Sequence, residues 1–412
     1  MTQKLLAGSF QLMKSLNRSL ILNKIRTEGP ISRAEIAKQT KLTPPTVSNI
    51  VKELIDSDIV IESNQGESRG GRKPTMLIIN AKNFFVIGID VSPTSIYSVI
   101  TNLNAGIIDS VFIDIIHPVT NESLLSLLSN SVKQLLNQNK QINHEHILGI
   151  GVAMHGIVDI ENGIAIYAPG LKLRNIPIKE HLESEFNMTV KIENDANSMA
   201  LGEAWFGNGY DIGDFVCVNV GQGIGAGIII NGKLLHGNEF LSGEIGHMTI
   251  DIDGPKCSCG NYGCLEALAA GPYIAERAKK QLVMGEESML IEMTDNNLDQ
   301  LTGELINQAA LQGDQFCIKL LKQTGKYLGI GLSNLIHIVN PSCIIMGGGV
   351  TKSGDILLDS IKDTISQRGL TDQAKATQVM LTKLGDQAAV IGAVCLMLVE
   401  LFFTESPHKN IL

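Results

Sequence analysis

Apolar residues near the start of the chain recur at the period of a helix. The pattern covers positions 16–25, and a Glu-Gly-Pro turn at 28–30 ends it, so we predict a first helix over about residues 15–27. Ser32 and Glu35 then have the spacing of a capping box, which predicts a second, short helix that ends near residue 39. These two segments form a pair of helices joined by a tight turn.

A third helix and a hairpin follow. Thr43 can cap the helix, and apolar residues repeat at helical spacing over 47–54. Two strand-like runs come next, at 59–61 and 76–79, separated by a polar loop with two adjacent glycines and three basic residues. Three short helices and a hairpin predict a winged helix-turn-helix domain over residues 1–80.

The outward positions of the third helix are short, polar and mostly uncharged, which suits hydrogen bonds to base edges in a major groove. Basic residues in this helix and in the loop suit phosphates or a minor groove. The predicted DNA-binding residues are Thr43, Pro45, Thr46, Ser48, Asn49, Lys52, Arg69, Arg72 and Lys73. A small protein-binding helical domain is the alternative that this pattern leaves open.

From residue 84 onward, apolar runs alternate with glycine-rich turns and helical stretches. Strand-like runs cover 85–89, 147–152, 190–192, 215–220 and 343–346. This alternation predicts an α/β body. One arrangement of strand, turn and second strand occurs twice, over 85–100 and 215–230, so we expect a duplicated fold with a cleft between its halves.

Three of the seven cysteines fall within eight residues. With the preceding histidine, they supply three thiolates and one imidazole, a complete tetrahedral shell for zinc without an open position for water. The predicted ligands of this structural site are His247, Cys257, Cys259 and Cys264. Free thiols are the alternative reading.

Carboxylates lie at two places where a ligand could bind. Glu193, Asn194 and Asp195 follow a strand-like run, and Glu244 and Glu266 flank the cysteine cluster. Carboxylates and amides can each make paired hydrogen bonds to sugar hydroxyls. Ordinary solvation of these side chains is the alternative.

These motifs carry a family resemblance. Residues 243–266, which read GEIGHMTIDIDGPKCSCGNYGCLE, are similar to the signature of the ROK family of repressors, uncharacterised reading frames and sugar kinases. The winged helix with its Gly-Gly-Arg-Lys-Pro loop resembles the family's repressor branch, most of all the xylose-repressor type. The resemblance implies a two-lobe actin-like fold of the sugar kinase and heat-shock ATPase type. Its lobes are expected over 81–200 and 201–385, with the zinc knuckle in the second and a C-terminal helix, 386–412, packing back on the first.

The resemblance also implies the roles of the site residues. It places zinc on the four ligands named above, and the sugar-binding residues are expected to be Asn194, Asp195, Glu244, His247 and Glu266. In kinases of the family the residue that matches Asp195 is the general base. Kinases have an Asp-x-Gly-Gly-Thr-Lys loop where residues 90–95 here read DVSPTS, so both glycines are missing and Pro93 removes a backbone donor. We therefore predict that the domain is not an enzyme and that Asp195 is a vestigial base.

Charge and composition agree with a two-part protein. The net charge is −9, yet the first 80 residues hold twelve Lys and Arg against seven Asp and Glu, a balance of +5 that leaves −14 for the rest. The longest apolar run, at 388–399, is shorter than the roughly 18 residues of a membrane span, and no secretory signal is evident. We expect a cytoplasmic protein that does not enter a membrane.

The expected function is a sugar-responsive transcriptional repressor of carbohydrate-utilisation genes. Its expected partners are a pseudo-palindromic operator, a small sugar inducer and a second copy of the chain, as a homodimer or a higher oligomer. An ATP-dependent sugar kinase with a regulatory DNA-binding domain is the main alternative. A regulator whose signal is another protein is also left open.

Overall fold

The computed structural model describes residues 10–65 and 74–403. Three helices and a small sheet form a head. The head elements are α1 (Phe10–Glu28), β1 (Ile31–Ser32), α2 (Arg33–Thr40), α3 (Pro44–Asp56), β2 (Val60–Gln65) and β3 (Thr75–Ile79). The strand order is β1-β3-β2. This is the predicted winged helix-turn-helix.

Side-chain caps start the second and third helices as the sequence predicts. The Ser32 hydroxyl accepts a hydrogen bond from the backbone of Glu35 in a capping box, and the Thr43 hydroxyl accepts one from the backbone of Thr46. The first helix is longer than predicted and begins at Phe10, because no cap or proline marks its start. The two-residue strand β1 was not predicted, since it is too short to show an alternating pattern.

Two five-stranded sheets form the body. The first sheet contains β4 (Phe85–Val91), β5 (Ser95–Asn102), β6 (Ile107–Asp114), β7 (Ile147–Met154) and β11 (Val190–Asn194). The second sheet contains β12 (Phe215–Val220), β13 (Ile224–Ile230), β14 (Lys233–Leu234), β15 (Cys343–Gly347) and β16 (Gln378–Leu381). Their orders are β11-β7-β4-β5-β6 and β14-β13-β12-β15-β16. In each sheet an antiparallel three-stranded meander continues into two parallel strands, so the predicted duplication is confirmed.

Helices and a minor sheet complete the body. The minor sheet contains β8 (Ile157–Asp159), β9 (Ile164–Ala168) and β10 (Leu173–Ile176). The helices are α4 (Asn121–Gln138), α5 (Ile178–Phe186), α6 (Asp195–Phe206), α7 (Leu265–Ala269), α8 (Gly271–Val283), α9 (Leu290–Met293), α10 (Gly303–Leu311), α11 (Gln315–Val339), α12 (Asp355–Arg368), α13 (Asp372–Lys375) and α14 (Ala388–Phe402). One core packs α4 and α5 on the first sheet, and another packs α8, α10, α11 and α12 on the second.

Helix α14 packs tightly against the first sheet and α6. A Cβ atom at Gly151 in β7 would lie 1.8 Å from the carbonyl oxygen of Ala393, and one at Gly392 would lie 1.7 Å from that of Ser198 in α6. Only glycine allows such close approach. Residues Gly385–Phe402 are long and apolar enough to cross a membrane by length and composition alone, but 61% of this stretch is buried inside the protein. Residues 404–412 of the expected C-terminal helix lie outside the described residues, and the domain boundaries remain predictions.

The head contacts the body through α1. The guanidinium of Arg26 lies 4.2 Å from the ring centroid of Trp205, near the end of α6, and 5.7 Å from that of Phe402 in α14. The Asn23 side chain donates a hydrogen bond to the Phe402 carbonyl at 3.1 Å. Helix α6 begins at Asp195, so one helix of about 18 Å connects the end of β11 to the head. We call the contact of Arg26 with Trp205 and Phe402 the head joint.

Candidate functional site

Polar side chains from both sheets meet where the strands end. Asp90 is at the end of β4, His155 follows β7 and Asp195 follows β11. These three strands are parallel, so their carboxyl ends share one edge of the first sheet. Asn219, in β12 of the second sheet, donates a hydrogen bond to the Asp195 carboxylate at 3.4 Å. Glu266, in α7, accepts one from the backbone at the start of β13 at 3.3 Å. We call these five residues the inter-sheet site.

Asn194 and Asp195 are fixed at the first turn of α6. The Asn194 side-chain oxygen accepts hydrogen bonds from the backbone of Ala196 at 2.9 Å and Asn197 at 3.1 Å, and its amide donates to the Gly156 carbonyl at 2.9 Å. Asp195 also accepts from the Ala196 backbone at 2.9 Å. Asn194 therefore serves mainly as a cap that positions Asp195.

Two carboxyl groups share this site. Burial raises the pKa of Asp90 to about 7, and the neighbouring charge of Asp195 adds to the effect. Burial likewise raises the pKa of Asp195, whereas a charge on His155 and hydrogen bonds from the start of α6 act in the opposite direction. The site therefore holds a proton near neutral pH.

We expect the free energy of unfolding to fall as the pH rises from 5 to 8. A carboxyl whose pKa is raised in the folded state stabilises the fold below its unfolded value of about 4, and this contribution is lost as the pH rises through about 7. The expected size is about 2 kcal/mol, less than the full shift implies, because Asp90 keeps some contact with solvent. Denaturant titrations of the wild type and Asp90→Asn at both pH values measure it. The same pH dependence in both proteins would contradict the prediction.

An ion pair joins the two sheets beside this site. His236, after β14, lies 2.7 Å from the carboxylate of Glu193, at the end of β11, and both side chains are largely buried. Burial opposes the charge on His236, but the hydrogen bond and charge of Glu193 outweigh it and raise the pKa of the imidazole. Glu193 also accepts a hydrogen bond from Asn197 at 3.0 Å. The pair therefore fixes the loop after β14 against the start of α6.

The expected metal ligands form one cluster. The ligand atoms of the four residues, His247, Cys257, Cys259 and Cys264, all lie within 4.8 Å of one another. The Cys257 sulfur is 3.7 Å from His247 Nδ1, and the Cys259 and Cys264 sulfurs are 3.7 Å apart. A tetrahedron with zinc–sulfur bonds of about 2.3 Å has edges of about 3.8 Å, so these side chains fit a zinc ion. Among the described residues, this is the cluster of His, Cys and acidic side chains that could hold a metal ion.

The metal cluster supports both predicted glutamates. The Ser258 hydroxyl, between two of the cysteines, donates to Glu266 at 3.1 Å, and the Ser258 backbone donates to the Tyr273 hydroxyl at 2.9 Å. Glu244 lies 3.8 Å from His247 Nε2, on the side of the ring away from the cysteines. His247 can therefore use Nδ1 for a metal and present Nε2 to the site.

The third helix of the head presents most of its predicted DNA-binding residues to solvent. Thr43, Pro45, Ser48, Asn49 and Lys52 are exposed, whereas Thr46 is half-buried. The apolar stripe of this helix is buried as predicted. The remaining predicted residues, Arg69, Arg72 and Lys73, lie outside the described residues.

Four residues near the site were not predicted from the sequence. Asp90, Asn219 and His155 lie at or just after the ends of predicted strands, so the strand-end rule that predicted Asp195 could have found them. No comparable signal marks His236, because its partner Glu193 is brought to it only by the packing of the two sheets.

A winged helix-turn-helix head on a duplicated, kinase-like body is the architecture of a DNA-binding regulator with a sugar-kinase-like domain. Comparison with known families agrees with this class. Residues 86–400 match the ROK family, and residues 16–61 match a family described as winged helix-turn-helix DNA-binding. The chain belongs to the ROK family.

Two relatives that match over nearly their whole length are named as regulators. The chain is 35% identical over 391 residues to the xylose repressor of Caldicellulosiruptor bescii, covering 95% of this chain and 97% of that protein. It is 31% identical over 393 residues to the DNA-binding transcriptional dual regulator NagC of Escherichia coli K12, covering 95% and 94%.

Solved structures include both regulators and kinases. A ROK family transcriptional regulator, described as a homologue of the E. coli MLC protein, superposes with a TM-score of 0.83 at 27% identity, covering 95% of this chain and 97% of that one. A ROK family glucokinase from Streptomyces griseus, in complex with glucose and AMPPNP, superposes with a TM-score of 0.70 at 30% identity. The kinase match covers 76% of this chain and 98% of the kinase.

Proposed function

We propose that this chain is a sugar-responsive transcriptional repressor that acts in the cytoplasm as a homodimer. The observation that carries the proposal is α6, which begins at Asp195 in the inter-sheet site and contacts the winged head through Trp205. One helix thus joins a carboxylate suited to bind a sugar to a domain suited to bind DNA. The name of the C. bescii relative makes xylose the first sugar to test.

The proposed sugar site uses groups from both halves of the body. The proposed sugar-binding residues are Asn194, Asp195, Glu244, His247 and Glu266. A sugar held on both sides favours a more closed arrangement of the sheets, because binding can shift an equilibrium only through differential contacts. Movement of α6 then displaces the head joint and changes the spacing of the two heads in the dimer.

Structural zinc is part of the proposal. His247, Cys257, Cys259 and Cys264 would hold the ion, and their close spacing supports this assignment. Four protein ligands leave no position for substrate, so the ion would supply rigidity to the knuckle rather than Lewis acidity. The chain itself contributes the hydroxyl of Ser258, whose hydrogen bond to the carboxylate of Glu266 holds that side chain in place beside the knuckle.

Replacement of Asp195 by alanine should weaken sugar binding about ten- to a hundredfold, because a charged acceptor of sugar hydroxyls is lost. Calorimetric titration with xylose measures the loss, and operator binding without sugar should be unchanged. Asp114→Ala, on the exposed edge strand β6, is the matched control. Equal sugar affinity in the wild type and Asp195→Ala would place the inducer elsewhere.

The rival function is a sugar kinase, which is favoured by the retained Asp195 and by the glucokinase likeness. Phosphoryl transfer depends on positioning and on stabilising phosphate charge, and the loop at 90–95 has lost the glycines that would cradle a nucleotide. Incubation with ATP, magnesium and a panel of pentoses and hexoses should therefore give no sugar phosphate. Turnover that disappears in Asp195→Ala would establish the kinase instead.

A further inference from the structure

The imidazole of His155 lies where the two sheets meet, and it is not among the sugar-binding residues proposed above. Its backbone N–H donates to the Val91 carbonyl at 3.1 Å, which fixes the residue beside the end of β4. A Cβ atom at Gly223, in the turn between β12 and β13, would lie 4.0 Å from its Cε1 atom and 2.9 Å from a carboxylate oxygen of Glu266. The ring therefore faces the second sheet close to Glu266.

A hydrogen bond at one ring nitrogen determines the proton on the other. The backbone N–H of Gly170 donates to His155 Nε2 at 3.3 Å, so Nε2 is an acceptor and the neutral ring carries its proton on Nδ1. Within residues 10–65 and 74–403, no protein group accepts a hydrogen bond from Nδ1. The half-buried ring thus has a donor available for a ligand.

The nearby carboxylate of Asp195 indicates which kind of ligand group the Nδ1–H of His155 could bind. Asn194 of β11 pairs with Met154 of β7, so Asp195 and His155 are the next residues beyond the ends of these two neighbouring strands. A sugar hydroxyl can donate to a carboxylate and accept from an N–H group at the same time. A donor and an acceptor placed side by side therefore complement a single hydroxyl in both directions.

We propose that His155 contacts the inducing sugar, with Nδ1–H donating to the oxygen of the hydroxyl that donates to Asp195. The proposal rests on the sugar-sensing function proposed above and adds a residue that determines specificity. A Cβ atom at Gly170 would lie 3.1 Å from Nε2 and 2.6 Å from the Pro93 ring, so backbone and proline enclose this side of the imidazole. The donor therefore has a fixed position, and a sugar without a hydroxyl there loses the contact.

Calorimetric titration of the full chain with xylose and its monodeoxy analogues tests the proposal. His155→Ala should weaken xylose binding about tenfold. One deoxy analogue should bind the wild type and His155→Ala alike, because the hydroxyl that His155 contacts is already absent. His155→Gln, which keeps an N–H donor, should recover part of the affinity. His144→Ala, exposed just before β7, is the control and should bind every sugar as the wild type does.

The outcomes separate this inference from the proposed function. If Asp195→Ala weakens xylose binding while His155→Ala and His155→Gln bind xylose and every analogue as the wild type does, His155 is not a sugar contact and the sensor function stands. An equal loss of affinity for all analogues would make His155 merely structural and also overturn the inference. If the wild type binds no pentose or hexose, the sensor function and this inference both fail.

Discussion

Removal of the proposed zinc should weaken sugar binding at least tenfold. Cys259→Ser breaks the ligand shell, and Glu266 then loses the support that it receives through Ser258. Loss of groups that position a site typically costs ten- to a hundredfold in affinity, and loss of a structural zinc also costs folding free energy. We expect about one zinc per chain in the wild type, none in Cys259→Ser, and in that variant a lower melting temperature and sugar binding at least tenfold weaker.

The Ser258→Ala variant tests whether the cluster acts on sugar binding through Glu266, without removing the metal. The variant keeps all four ligands but loses the hydroxyl that donates to Glu266, so it should retain zinc and melt like the wild type while binding sugar more weakly. Zinc added after chelation should restore the wild type but not Cys259→Ser. A metal-free wild type with full sugar affinity would exclude the proposed role of the cluster.

The two predicted kinds of DNA contact should respond differently to substitution. Asn49 is exposed on the third helix of the head and is expected to read a base edge, so Asn49→Ala should cost about 1 to 3 kcal/mol on the operator and little on random DNA. Arg72 is expected to contact phosphate or a minor groove. Arg72→Ala should therefore weaken binding to all sequences alike. It should also lower by about one the slope of log binding constant against log salt concentration.

The operator for this comparison can be selected from random duplexes with the intact chain. Its half-sites should lie an integral number of turns of about 10.5 base pairs apart, because two heads must meet the same face of the duplex. Lys82→Ala, exposed just outside the head, serves as a control for the loss of a positive charge. Operator-specific losses in both Asn49→Ala and Arg72→Ala would refute the distinction, and a wild type that selects no sequence would refute the DNA-binding assignment itself.

Local chemistry made much of the fold predictable. The capping box at Ser32 and Glu35 and the repeated strand-turn-strand pattern depend on neighbouring residues, so a single sequence reveals them. The cluster of His247 and the three cysteines was predictable for the same reason, since the cysteines lie within one short loop. Contacts between distant elements could not be predicted in this way, because no local pattern indicates that Gly392, in an apolar helix, lies against Ser198 of α6.

The same limit applies to the site. Asp195 was predicted because it follows a strand, but its hydrogen bond to Asn219 depends on how the two sheets pack. The head joint could not be predicted from the sequence either, because Arg26 and Trp205 are far apart in the chain and neither belongs to a recognisable motif. Long-range geometry of this kind is determined by the tertiary fold as a whole.

The head joint has a practical consequence, because Trp205 is the single tryptophan of the chain. Its indole is 8% exposed and stacks on the Arg26 cation, so its fluorescence emission reports on one place only, where α6 meets the head. If a sugar at Asp195 moves α6, the emission maximum and its quenching by acrylamide should change as the stacking is lost or tightened. The protein thus carries its own optical probe of induction, which needs no added dye.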